Sequence, residues 1–232
     1  MMRKVKRALT VLLVMTGLLA LLTGCGKTKT KRYQAYVETL ITANYLGVSD
    51  EYVQTTGVNE ADAEAMYLQN ATRLASNLED YYGLDIRMDK ELAPAMEELA
   101  KKIYSKTKFE VGKAYQDNGI YYVDVTIQPI DILNQTYAEV TKYVQDFNDR
   151  VAKGEFNNYT KEEYENVFAK GIIEILDKAA DNMQYKEKET VTVRIIEGDS
   201  SFSIKNEDFQ NIDMKVIAAT DEYDKASGTD AE

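Results

Sequence analysis

Ile120-Tyr121-Tyr122-Val123-Asp124-Val125-Thr126-Ile127-Gln128 is the stretch from which the fold can be read. Apolar and polar residues alternate with a period of two. Tyr121, Val123, Val125 and Ile127 therefore share one face of a strand, and Tyr122, Asp124, Thr126 and Gln128 share the other. Such a strand has one covered side and one wet side. Asp117-Asn118-Gly119 before it is a turn whose glycine can take positive φ, and Lys108 to Tyr115 is the strand that the turn folds back. Pro129 closes the hairpin, because proline has no N–H to donate to a ladder. An isolated hairpin is barely stable in water, so helices must cover its apolar side.

Upstream the apolar period is 3.6. Tyr33, Tyr36, Val37, Leu40, Ile41 and Tyr45 make one helical stripe, stopped by Gly47. After a polar link containing Thr55-Thr56-Gly57, Asn59 caps a second helix bearing Tyr67, Ala71, Leu74, Leu78 and Tyr81, ended by Gly83. A third helix follows Asp89 and carries Met96, Leu99 and Ile103, with Pro94 near its first turn.

Downstream the order recurs. Leu133, Tyr137, Val140, Val144, Phe147 and Val151 predict a fourth helix, closed near Gly154. Thr160 and Glu163 form a capping box for a fifth, bearing Tyr164, Val167, Phe168, Ile172, Ile175 and Leu176. Strand period returns at Val191, Val193 and Ile195 and at Phe202 and Ile204, around Gly198-Asp199; Asn206 to Phe209 suit a short closing helical turn. The fold class is α+β, amphipathic helices on antiparallel hairpins. One domain is expected over residues 33–217, with a helices-then-hairpin unit duplicated as 33–130 and 131–217. A single layer of long helices on one curved sheet, cystatin-like or NTF2-like, is the competing arrangement. Residues 218–232, acidic and small, read as a disordered tail.

The first residues carry a targeting signal. Arg3, Lys4, Lys6 and Arg7 precede an apolar run from Ala8 to Leu22, about fifteen residues, where a spanning helix needs roughly twenty. The run ends in Leu22-Thr23-Gly24-Cys25, which resembles the lipobox of bacterial lipoproteins. That resemblance implies cleavage after residue 24, diacylation of Cys25 with fatty acids such as palmitate, and anchoring at the outer face of the cell membrane by two chains. Cys25 is the chain's one cysteine, so no disulfide can form within the chain. Residues 25–32 then form a basic tether with Lys27, Lys29, Lys31 and Arg32, fit either to lie on anionic headgroups or to act as a solvated spacer. The lipobox together with Tyr33-Gln34-Ala35-Tyr36-Val37, Lys102-Ile103-Tyr104-Ser105-Lys106 and Tyr121 to Ile130 resembles the tyrosine-rich lipoproteins of clostridia-like Gram-positive bacteria. Those carry a domain of unknown function. The resemblance implies an extracytoplasmic lipoprotein and no particular chemistry.

Composition narrows the chemistry. Loss of residues 1–24 removes four cations and no acid, taking the net charge from −11 to −15. An acidic surface repels phosphate backbones, which argues against nucleic acid as a partner. There is no histidine, which removes the histidine base, the Ser-His-Asp triad and the histidine–cysteine zinc site. Seventeen tyrosines suit a half-wet surface that contacts protein, peptide or glycan, and also the filling between helix and sheet.

Motifs for catalysis or metal are weak. Ser105-Lys106-Thr107-Lys108 matches the serine-x-x-lysine pattern of penicillin-recognising enzymes, but at a helix end and without its partner motifs. Glu97-Glu98, Glu162-Glu163 and Glu187 with Glu189 are the densest carboxylates for a hydrolase pair. Asp80, Asp85 and Asp89, and the turn Glu197-Gly198-Asp199, lack the spacing of a calcium loop. The sequence therefore assigns no catalytic, cofactor or metal residue and calls for no cofactor. It predicts a non-catalytic binding module whose partners are membrane lipid, through Cys25, and a protein, peptide or glycan. A carboxylate-dependent cell-envelope hydrolase is the alternative.

Overall fold

Strand β4 (Ile120–Gln128) is paired along both edges, and the rest of the chain is arranged around it. The computed structural model describes residues 29–198 and 201–220, and the backbone of Gly17 and Leu18. On one side of β4 lie β2 (Lys108–Val111) and β3 (Tyr115–Asp117); on the other lies β5 (Glu189–Glu197), then β6 (Ser201–Ile204), every pair antiparallel. A two-residue β1 (Gly17–Leu18), inside the expected leader, pairs with Phe202 and Ser201. The two expected hairpins thus join edge to edge, with Val123 opposite Val193 and Val125 opposite Val191, in one sheet.

The first hairpin is tightened at two points. Asn118 and Gly119 have φ of 47° and 84°, the pair of left-handed residues that a two-residue turn needs to match strand twist. Between the pairs Val111–Val125 and Tyr115–Tyr122, residues 112–114 face only Val123 and Asp124. That extra residue is a bulge, and it splits the expected Lys108–Tyr115 strand into β2 and β3.

Seven helices complete an α+β fold among the described residues: α1 (Lys29–Ile41), α2 (Asp50–Thr56), α3 (Glu60–Tyr82), α4 (Leu92–Tyr104), α5 (Ile132–Ala152), α6 (Lys161–Asp181) and α7 (Asn206–Val216). α1 and α7 lie on the sheet, and α3, α4 and α6 pack successively beyond them. Val123, Val125, Ile127, Val193 and Ile195 are buried beneath Val37, Ile41, Phe209, Ile212 and Val216. Tyrosines fill the angle between helix and sheet. The Tyr33 ring meets Tyr121 and Phe202 edge-on, each at 4.9 Å, the arrangement favoured by the ring quadrupole. A π-helical turn, Thr42–Leu46, extends α1 and carries Tyr45 against Tyr104 and Phe209.

Local capping signals explain the helix starts. The Asn59 side chain accepts from Asp62 N at the start of α3, and Thr160 and Glu163 form a complete capping box on α6. Asp89 Oδ1 accepts from Glu91 N and Leu92 N to hold α4, and Asn166 Nδ2 donates to its other oxygen.

Five expectations are corrected. The basic tether does not run to residue 32, because α1 begins at Lys29: Lys29 Nζ pairs with Glu197 at 2.8 Å and the Arg32 guanidinium lies 5.6 Å from the Phe202 ring. The link before Asn59 contains α2, whose Tyr52 is buried. The closing turn is the eleven-residue α7, and residues 218 and 219 of the expected tail are tied to the fold, since Ala218 N donates to Ile130 O and Asn134 Nδ2 donates to Ala219 O; residues 221–232 lie outside the described residues. The stripe on α5 is narrower than its spacing implies. Tyr137 and Val151 are exposed, and the buried residues of α5 are Ile132, Thr136, which meets Tyr82, and Phe147, which packs on Tyr164 and Phe168 of α6.

The outer turns of α5 and α6 have an aromatic core of their own. Phe147 packs on Phe156, Tyr164 and Phe168, and the Arg150 guanidinium caps Phe147 and Phe156 while holding Glu155 through two N–H donors. Gly171 lets the helices approach. A Cβ there would stand 2.2 Å from Tyr143 Cζ, and that ring is fixed by its hydroxyl, which reaches Val167 O at 3.0 Å and Phe168 O at 3.2 Å.

Candidate functional site

Strand alternation buries one face of the sheet, and among the described residues no helix packs over the other. On that open face Tyr115 stacks on Tyr122, their rings 5.8 Å apart. Arg194 stands across from Tyr122, Thr192 across from Asp124, and Thr190 across from Thr126. Thr192 Oγ1 donates to Asp124 Oδ1 at 2.6 Å, and the Thr126 and Thr190 hydroxyls are 3.1 Å apart. Burial against its neighbours and the Asp124 charge raise the Tyr115 phenol above its ordinary value. The face offers aromatic planes, hydroxyls that donate and accept, the carboxylates of Asp124 and Glu110, and one guanidinium. Those groups suit hydrogen bonding and stacking with a partner.

Arg194 is positioned by a charge set at the sheet edge. The Asp208 carboxylate, buried at the start of α7, accepts from Arg194 N at 2.8 Å, Nε at 2.9 Å and Nη2 at 2.7 Å. Burial works against the Asp208 charge, but the Arg194 donors outweigh it and keep this carboxyl below its ordinary range.

The carboxylates singled out in the sequence do not meet. Glu98 pairs with Lys101, Glu163 caps α6, Glu189 pairs with Lys215, and Glu97, Glu162 and Glu187 are exposed. Ser105 caps α4 and donates to Lys102 O at 2.7 Å, while the Lys108 amine lies over the Tyr185 ring at 3.6 Å. The serine hydroxyl and the Lys108 amine are thus each engaged elsewhere. Asp80 and Asp89 are engaged by Arg87 and by the α4 cap, Asp85 is exposed, and Glu197 takes Lys29 and Tyr33. Asp199 lies outside the described residues, as does Cys25. No group of three His, Cys, Asp or Glu suited to a metal ion occurs among the described residues.

Sequence reasoning missed three features. Glu79 is buried, and desolvation lifts its carboxyl above the usual range although Arg87 Nε donates to it at 3.2 Å. Asp213 joins Tyr45 to Arg73, and Arg73 continues through Asn70 to Asn44 O, a polar chain that fastens α7 and α3 to the π-helical turn. An open groove of about 400 Å³ runs between α5 and α6, lined by Glu139, Lys142, Tyr143, Asp146, Glu174 and Lys178, with Lys178 and Glu139 3.5 Å apart. Each depends on contacts between distant segments, so no local signal announced it.

No protein-family model and no curated protein matches this chain. Among solved structures it is similar to ycdA of Bacillus subtilis, which is named a candidate lipoprotein, with a TM-score of 0.57 and 11% identity. The match covers 81% of this chain and 56% of that one, so this chain spans little more than half the neighbour's length. At that identity the likeness is one of fold.

Proposed function

We propose that this chain is a bacterial lipoprotein, acylated on Cys25 and held at the outer face of the cell membrane, and that it binds a protein, peptide or glycan through the open sheet face. The anchoring rests on the Leu22-Thr23-Gly24-Cys25 motif, and the Bacillus subtilis protein of similar fold is itself named a candidate lipoprotein. No helix among the described residues is long and apolar enough to cross a membrane. The observation that carries the binding reading is the asymmetry of the sheet, with Val123, Val125 and Val193 fully buried and, on the reverse, Tyr115 and Thr192 exposed and Tyr122 and Thr126 half-buried. A wet face without helices leaves hydrogen-bonding groups free for a partner. The alternative is a cell-envelope hydrolase, whose acids would come from the α5–α6 groove.

A photo-crosslinking side chain at Thr126 or Thr192, in intact cells, should yield one adduct of defined mass. The same probe at Glu38 or Gln54, exposed on helices, should yield none. Equal adducts at all four positions, or none from the sheet, would contradict the binding face. Release of reducing ends from purified cell wall, lost in Glu174→Gln, would establish the hydrolase instead.

A further inference from the structure

The open face is not uniform along its length. One step past the Tyr121–Ile195 pair, the register sets Ile120 opposite Ile196. Both point to the open side, and they are 44% and 48% exposed. Beside them on that side lie Asp117, opposite Ile120, and the rings of Tyr115 and Tyr122, while half-wet Tyr121 stands next to Ile120 on the covered side against Tyr33. The opposite end of the same face is hydroxylic, with Thr126 and Thr190. An apolar tip ringed by tyrosines is the composition of a membrane interface, where amphipathic rings sit at headgroup level.

The path of the chain brings a bilayer to this end and not the other. Lys29 Nζ is bonded to Glu197, the residue after Ile196. Lys29 is four steps along the chain from Cys25, and extended chain covers at most about 14 Å over that distance. Lys31 and Arg32 are exposed on the first turn of α1, and Lys29 neutralises Glu197 there. Cations therefore stand where anionic headgroups would be, in a chain that is otherwise strongly acidic.

We propose that Ile120 and Ile196 insert into the outer-leaflet interface. The sheet then stands on the bilayer by its 117–120 turn, and the Asp124–Thr192 stretch of the open face is held above it. This inference rests on acylation of Cys25.

The chain has no tryptophan, so a single one reports its own depth. The full-length acylated protein is placed in phosphatidylglycerol–phosphatidylethanolamine vesicles with brominated acyl chains, as Ile120→Trp, Ile196→Trp or Thr126→Trp. Thr126 lies about 20 Å along the strand from Ile120. Quenching is expected to be several-fold stronger at Ile120→Trp and Ile196→Trp than at Thr126→Trp. Equal quenching at all three, with the protein still bound to the vesicles, overturns the insertion and leaves the anchor intact. Absence of an acyl group on Cys25 in the intact mass of the starting protein overturns both. Ile120→Ser with Ile196→Ser guards against a reporter effect: on the acylated protein it should weaken protection of the 117–120 amides by vesicles, and unchanged protection also overturns the insertion.

Discussion

Val125→Asp is expected to cost several kcal/mol of folding stability, while Thr126→Asp, one residue on, should cost about 1 kcal/mol or less. Val125 has no exposed surface and pairs with Phe109's strand on one side and Val191 on the other, beneath α1 and α7. A carboxylate there must be desolvated without a partner or take up a proton. Either cost is a large part of the 5–15 kcal/mol that holds a typical domain. Thr126 faces the open side, where its hydroxyl meets Thr190 and water can solvate a new charge. Thermal melts of the two variants check the contrast. Equal losses would mean that both faces of the sheet are covered.

Asp208→Asn should cost about 2–3 kcal/mol at pH 7, because three donors from Arg194 converge on one buried carboxylate and an amide cannot receive them all. The difference should also depend on pH. The Asp208 carboxyl is held below its ordinary value in the folded protein, so its contribution is complete above the unfolded carboxyl value of about 4 and is lost as pH falls through the lower folded value. Chemical denaturation at a series of pH values should show wild type and Asp208→Asn converging below about pH 4. A constant gap would mean that Asp208 acts through shape and not through charge.

Local signals carried the elements they govern. The alternation of Ile120–Gln128 matches the burial of β4 from Val123 to Gln128, while Tyr121 and Tyr122 are both half-buried. Asn59, Asp89 and the Thr160–Glu163 box act within one helical turn, and each starts its helix as read. Signals were lost where an element is short or its environment distant. α2 has seven residues and no side-chain cap at Ser49, which left Gly57 as its clearest mark. Tyr137 and Val151 have helical spacing, yet both stand exposed on the outer side of α5. Phe209, Ile212 and Val216 do carry the spacing of α7, a signal that was present in the sequence and not used.

The candidate site divides the same way. Tyr122, Asp124 and Thr126 were legible as a wet face, because parity along one strand suffices. The groups that complete the face were not. Thr190, Thr192 and Arg194 join it only because β5 lies against β4, a pairing between strands more than sixty residues apart. The Ile120–Ile196 pair and the ion pair from Lys29 to Glu197 depend on that same register.

Anchoring through Cys25 underlies both the binding reading and the orientation at the membrane, and metabolic labelling with a fatty-acid analogue tests it most directly. The wild-type chain should take up label and sediment with membranes, and Cys25→Ser should do neither, because acylation needs the thiol. Undiminished label on Cys25→Ser would contradict the account.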